Sequence, residues 1–438
     1  MAKLIEDSFS QTLVDALAKK TQFVQRSRKL SASHFVNTLM FSSHNQANTS
    51  LPDMTADLYQ QCAVDISKEG LHKKFNTQAV AFLKELVKMH VSDHLQMGCT
   101  DLKKYFNAIN IKDSSKFSLP TIYSGGYPGF GNFSKTNGVM CIQYEYDVLG
   151  GNWKNIALSS IRENDQKNSN ESIKDIVAGE LYIRDLGYIT PSYLKAVSQQ
   201  EASFLNRLPA QAAVYEKGKR IDWSRIHKKF DQLGVTTLDI EVTVYEKERL
   251  PCRLIIERVP DSIYKRRLMQ ACAMVKKHKL KGLTQQRKTR CRYNTYITNV
   301  SQQVLPANKI KQVYYLRWQI ELVFKTWKSF LQIDKVKKVK KERLECQLLA
   351  RLLWVLLNWR LLQSCNRHIQ KDNPATGVSV LKFFKRCLAF STTLRLVVMG
   401  KMPIRTWLIK VFLPLIENTN CEAPTGKYTH YQTIYGLS

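Results

Sequence analysis

Apolar residues recur at helical spacing through the first hundred positions of the chain. Leu13, Leu17, Phe23 and Val24, and then Phe35, Leu39 and Met40, predict short amphipathic helices. A polar loop at 42–52 separates them from a second pair. One helix of that pair covers 54–64, and the other runs from Ser67, its N-cap, to about residue 90. The turn Asp65-Ile66 between them admits two readings. It is either a helix-turn-helix offering Lys68, His72, Lys73 and Lys74 to DNA, or part of a plain helical bundle with a basic face. Near residue 105 the apolar period shortens to two. Ile109, Ile111 and Asp113 share one side of an extended strand, and the chain is expected to turn after Asp113. Two alternating strands, 139–146 and 153–160, read as a hairpin turning at Gly150-Gly151.

After a polar stretch at 163–170 and a short helix from Ser172, Leu181, Ile183 and Asp185 repeat the arrangement of the first strand. A second aspartate thus closes a second apolar strand. By itself either one is an ordinary strand-ending turn residue. Two strands turning near 248–251, followed by a basic helix from Asp261, mark 210–292 as a separate unit. A strand at 293–300 returns to the first sheet, and a loop with Pro306 leads into a helix around residues 314–331. These shifts divide the chain into a helical 1–100, an α/β core begun over 101–209 and completed over 293–345, a β-rich basic insertion at 210–292, and a helical 346–438.

Composition adds a partner to this outline. The chain has 438 residues, 44% apolar and 24% charged, as in a globular protein with room for several domains. Its formal charge of +31 calls for an extended anion, with nucleic acid first and an anionic membrane second. The membrane reading is weak, because the basic residues are spread over folded segments. The most apolar stretch, 344–362, carries Glu345, Arg351, Asn358 and Arg360, so a buried helix is expected there and no membrane span. The N-terminal residues carry early acids and lack a continuous apolar run, unlike a signal peptide. Ten cysteines without a C-x-x-C pair suggest reduced thiols, with no zinc knuckle. His90 and His94 stand four apart without an evident third ligand and read as helix surface.

The most informative stretch is 314–328. At about 100° per residue, Tyr314, Arg317, Glu321 and Lys328 fall within about 60° of one another, with Lys325 and Trp318 beside them. Val313, Leu316, Ile320, Val323, Phe324, Trp327 and Leu331 take the adjoining, buried arc. Between Asp261 and Glu321 there is no acid at all, while Lys and Arg recur throughout. A helix face in water ordinarily mixes signs. A lone carboxylate at the end of a basic stretch suits a divalent metal working beside phosphate.

The order strand with Asp, hairpin, helix, strand with Asp, insertion, helix with Glu resembles a ribonuclease-H-like core. Tyr314, Arg317, Glu321 and Lys328 fit the Y-x2-R-x3-E-x6-K signature of bacterial insertion-sequence transposases of the DDE class. The likeness extends through LRWQIELVFKTWKS and back to INIKDSSKFSLP and ELYIRDLGYIT, covering roughly residues 100–345. This resemblance implies that Asp113, Asp185 and Glu321 are the catalytic residues and hold two Mg²⁺ ions, for which Mn²⁺ substitutes. It assigns Tyr314, Arg317 and Lys328 to the DNA phosphates, with Trp318 and Lys325 flanking that grip. Trp318 has two readings, stacking on an unstacked base or simple packing. Asp101 and Asp147 are the fallbacks for the first aspartate. The resemblance also implies double-stranded DNA (transposon ends and target) as partner, a homodimer in a synaptic complex, and a cytoplasmic, nucleoid-associated location. Two other functions are weighed: a non-catalytic repressor derived from a transposase, against which the filled carboxylate and signature positions argue, and a metal-dependent endonuclease without strand transfer, which would use the same carboxylates.

Overall fold

The computed structural model describes residues 10–25, 29–42, 49–92, 102–129, 137–161, 165–209, 211–277, 282–373, 375–417, 419–422, 429–430 and 432. His94 and Asp101, both weighed above, lie outside these. The strands in chain order are β1 (Ile109–Leu119), β2 (Gly138–Asp147), β3 (Trp153–Ser160), β4 (Leu181–Arg184), β5 (Ser203–Arg207), β6 (Val214–Glu216), β7 (Lys219–Arg220), β8 (Thr237–Val244), β9 (Leu250–Arg258) and β10 (Tyr293–Thr298). The first helices are α1 (Gln11–Lys20), α2 (Ala32–Phe41), α3 (Leu51–Cys62), α4 (Lys68–Lys74) and α5 (Thr77–Ser92). After the hairpin come α6 (Asp165–Glu171), α7 (Pro191–Gln199), α8 (Trp223–Leu233), α9 (Asp261–Lys277) and α10 (Gln285–Arg290). The last are α11 (Ala307–Tyr314), α12 (Trp318–Leu331), α13 (Lys341–Ile369), α14 (Val380–Val398), α15 (Ile404–Trp407) and α16 (Leu413–Ile416).

These elements form two compact units. One comprises Met1–Gly98, Ser114–Arg162 and Trp318–Gly436; the other comprises Cys99–Asp113 and Glu163–Arg317 with the last two residues. In the first unit α13 is buried along most of its length and packs against α5 and α2. Several of its buried polar residues find backbone partners. Arg351 donates to the carbonyls of Gln332, Ile333 and Lys335, Arg360 to that of His90, and Trp359 to that of Gly151. Among the described residues no helix is long and apolar enough to cross a membrane. The hairpin β2–β3 is antiparallel, with a bulge at Glu145/Tyr146. Trp327 of α12 packs against Tyr144 and Trp153 of that hairpin, with ring centroids 5.1 and 5.7 Å away.

The second unit is built on a mixed sheet. Its strand order is β1-β4-β5-β10-β9-β8-β6-β7, parallel from β1 to β5 and antiparallel from there on. One face packs Phe204, Leu254, Ile256 and Ile297 against Tyr193 and Leu194 of α7 and Ile226 and Phe230 of α8. On the other face Tyr296 meets Tyr314 of α11. Helices therefore flank the sheet on both sides. The strand expected at 293–300 is β10, which pairs antiparallel with β5 over three residue pairs and with β9 over six.

Several expectations change. β1 does not end at Asp113 but continues to Leu119, because Phe117 and Leu119 alternate with the exposed Lys116 and Ser118. The helix expected from Ser67 to residue 90 is two helices. It breaks at Phe75, and Asn76 Oδ1 caps α5 through Ala79 N–H. The turn read at Asp65-Ile66 is a five-residue connection, starting at a left-handed Ala63, and α4 is only seven residues long. Within the polar stretch at 163–170 the described residues begin α6, which runs to Glu171, and a 3₁₀ turn follows at Ser172. The sequence reading passed over α8, although its Trp223, Ile226 and Phe230 are all buried.

Candidate active site

Strands β1 and β4 run parallel, with Ile109, Asn110, Ile111 and Lys112 opposite Leu181, Tyr182, Ile183 and Arg184. Asp113 and Asp185 each follow the last of these pairs. The same alternation that buries Ile109, Ile111, Leu181 and Ile183 places both carboxylates on one face, side by side. Arg317 meets them both: its guanidinium lies 3.6 Å from Asp113 Oδ2 and 3.9 Å from Asp185 Oδ1. These separations are ion pairs, too long for good hydrogen bonds. Asp185 remains 47% exposed, whereas Arg317 is only 14% exposed.

The opposite face of the two strands carries charge that sequence reasoning missed. Lys112 and Arg184, paired in register, are both buried. Arg184 donates to Ser169 Oγ and Ser172 Oγ, and its guanidinium stacks 3.9 Å over the Tyr193 ring. Lys112 Nζ lies 6.0 Å over Tyr188. Nearby, Glu180 accepts from Asn110 Nδ2 at 2.6 Å and from the Tyr182 hydroxyl at 2.9 Å. The only signal in the sequence was the repeated pattern of a base immediately before each aspartate.

Tyr314 ends α11. It is buried, and burial raises its hydroxyl pKa while the neighbouring Arg317 opposes that rise. A 3₁₀ turn over Tyr315–Arg317 then separates α11 from α12. The single helix expected through residues 314–328 is therefore interrupted at Tyr315–Arg317. Glu321 sits in the first turn of α12, where the helix dipole favours a carboxylate. Trp318 is 53% exposed, and Lys325 and Lys328 are also exposed. Lys328 Nζ reaches the Lys116 carbonyl at 3.4 Å. Ile320, Val323, Phe324, Trp327 and Leu331 form the buried face, as their spacing predicts. Asp147 is already committed, accepting from the N–H groups of Leu149 and Gly150, so it has the environment of a turn residue.

Among the described residues, no three His, Cys, Asp or Glu side chains are gathered as a metal cage. The chemistry of the aspartate pair nonetheless fits a hard divalent ion. Two adjacent carboxylates supply oxygen donors, and they already share one cation, the Arg317 guanidinium.

A family model described as "Transposase DDE domain" matches residues 106–357. The chain is 32% identical over 369 residues to the transposase for insertion sequence element IS231B of Bacillus thuringiensis subsp. berliner, covering 79% of this chain and 76% of that one. It is 28% identical over 409 residues to the transposase for insertion sequence element IS1151 of Clostridium perfringens, covering 89% and 86%. A third relative, the transposase for element IS231F of Bacillus thuringiensis subsp. israelensis, is 29% identical over 364 residues, covering 78% and 76%.

Proposed function

This chain belongs to the DDE-domain transposases of bacterial insertion sequences, and we propose that Asp113, Asp185 and Glu321 are its catalytic carboxylates in a ribonuclease-H-like core. The enzyme carries out DNA transposition, acts on DNA, and belongs to a family that uses divalent metal. The observation that carries the residue assignment is the register of β1 and β4, which sets two aspartates side by side on rigid strands with Arg317 across them.

The three carboxylates would hold two Mg²⁺ ions, with Mn²⁺ able to substitute; when bound, such ions activate the attacking oxygen and stabilise the leaving 3′-oxygen at phosphorus. The rest of the chemistry is positioning. Arg317 offers phosphate a planar fork of donors, and Lys328 and Lys325 offer point charges. The Tyr314 hydroxyl, kept protonated by burial, can donate to a phosphate oxygen. Trp318 presents a half-exposed ring on which a base can stack. In this reading, 1–100 is a helical DNA-binding region, 101–209 and 293–345 form the core, and 210–292 is the inserted unit. The C-terminal 346–438 then supplies the interface of a homodimer that pairs two element ends, in the cytoplasm at the nucleoid. An active species that stays monomeric with its ends paired would refute the last point.

The test is Mg²⁺-dependent cleavage of DNA bearing the element's ends, wild type against Glu321→Gln. Cleavage lost in the variant while end binding persists supports the assignment. Equal cleavage by both removes Glu321 from the site. Binding without cleavage by either points to a repressor, and cleavage without joining of a free 3′-hydroxyl end points to a nuclease.

A further inference from the structure

Wholly within the second unit, and outside the Y-x2-R-x3-E-x6-K signature except for Tyr314, lies a cavity of about 270 Å³ whose wall is strongly cationic. Its floor is one face of the sheet. Arg207 at the end of β5 pairs in register with Tyr296 of β10, and Asn294 of β10 with Glu257 of β9. Lys311 and Tyr314 of α11 close one side, and Arg266 and Arg267 from the start of α9 close another. With Arg258, five basic side chains and one carboxylate line the space.

That carboxylate is already engaged. Glu257 accepts from Lys311 Nζ at 2.6 Å and from Asn294 Nδ2 at 2.8 Å. Arg258 pairs with Asp231, while its buried Nε has no hydrogen-bond partner. Among the described residues Arg267 donates only to neutral acceptors, the Tyr293 carbonyl at 3.1 Å and Asn294 Oδ1 at 2.7 Å. Burial first, and then the charges of Arg207 and Arg266, push the Arg267 guanidinium below its ordinary pKa. The side chains of Arg207 and Arg266 make no ion pair with any described residue. The acid-free run between Asp261 and Glu321 supplies most of this wall, so the imbalance is written into the sequence. Like charges held together in a partly enclosed space are unfavourable unless an anion joins them.

We propose that this cavity is a phosphate-binding site, taking one phosphodiester group of a DNA strand between Arg207, Arg266 and Arg267. The proposal rests on the transposase reading for its ligand, and adds to the signature residues a second grip built from arginines the signature does not contain. The cavity is just below the roughly 300–1,000 Å³ typical of small-molecule sites, so it admits a protruding phosphate and its sugar but no duplex. Arginine forks match the oxygens of such a group, and the Tyr296 hydroxyl can add a donor.

The test uses the full chain and the double variant Arg207→Gln/Arg266→Gln, which breaks no ion pair, with folding checked by circular dichroism. Lys228→Gln/Lys265→Gln, two exposed lysines of the same unit, is the control for net charge. The probes are a single-stranded oligonucleotide, the element-end duplex, and inorganic phosphate or pyrophosphate. The expected result is about tenfold weaker oligonucleotide binding in the pocket variant and not in the control. The salt-dependence slope of the pocket variant should also fall, by roughly 0.7 for each phosphate it no longer neutralises. Equal effects in both double variants would reduce the pocket to general basic surface and overturn the proposal. Phosphate or pyrophosphate binding lost in the pocket variant, with the oligonucleotide slope unchanged, would overturn the strand assignment in favour of a free anion. Cleavage of end DNA by the same wild-type preparation separates these outcomes from failure of the transposase reading, since cleavage with an unchanged pocket variant refutes the pocket alone.

Discussion

Replacing Arg317 with alanine is predicted to tighten divalent-metal binding in the DNA-free protein. The guanidinium lies 3.6 Å from one strand-end aspartate and 3.9 Å from the other, so an arriving cation must displace it or sit beside a like charge. Two unit charges about 4 Å apart interact by about 1 kcal/mol in water and about 4 kcal/mol at an effective dielectric of 20. Asp185 is about half exposed, which pulls the estimate toward the lower figure, about 1 kcal/mol per pair. Together the two pairs oppose metal by about 2 kcal/mol, a factor of roughly 30 in Kd. The assay is titration of Mn²⁺ into metal-free protein, read by the electron paramagnetic resonance of free Mn²⁺. Arg317→Ala should bind roughly 30-fold more tightly, and Arg317→Lys should stay near wild type. Element-end DNA should bring wild type toward the alanine variant, because phosphate draws the guanidinium away, and metal should in turn tighten DNA binding by the same factor. Unchanged or weaker Mn²⁺ binding by a folded Arg317→Ala protein would refute the reasoning.

Other outcomes follow from the packing. Trp327→Ala should cost about 3–5 kcal/mol in denaturant unfolding, because the ring is fully buried against Tyr144 and Trp153. Asp57→Ala should lower stability by about 2 kcal/mol by stranding Arg395, which it holds with two hydrogen bonds of 2.6 and 2.7 Å. His90, expected on a helix surface, is instead buried and held neutral: burial, and then the charge of Arg360, keep its pKa well below the ordinary 6.5. A group depressed on folding contributes stability that is present above its unfolded pKa and lost as pH falls. Stability should therefore decline as pH falls below about 6.5, and His90→Gln should flatten that decline in denaturant titrations at pH 7.5 and 5. An equal decline in both proteins would assign the pH dependence to other groups.

The local patterns that survive in the structure are those whose periodicity is set by burial on one face. Alternation over 109–113 and 181–185 fixed which side each aspartate takes, and the spacing of Ile320, Val323, Phe324, Trp327 and Leu331 fixed how α12 is buried. The charge balance, and the absence of acids between Asp261 and Glu321, likewise belonged to the chain before it folded. Sequence alone missed α8 and ran a single helix through residues 314–328, because no Gly or Pro marks the 3₁₀ turn at Tyr315–Arg317. That break comes from three-dimensional packing, where Tyr314 lies against Tyr296 and Arg317 against the two aspartates. Tertiary structure also decided that Lys112 stands beside Arg184, and that Arg207, Arg258, Arg266, Arg267 and Lys311 share one cavity. Strand register and helix docking are long-range choices. Each residue type carries its charge and its preferred period along the chain, but which charges become neighbours depends on the segments that bury their apolar faces together.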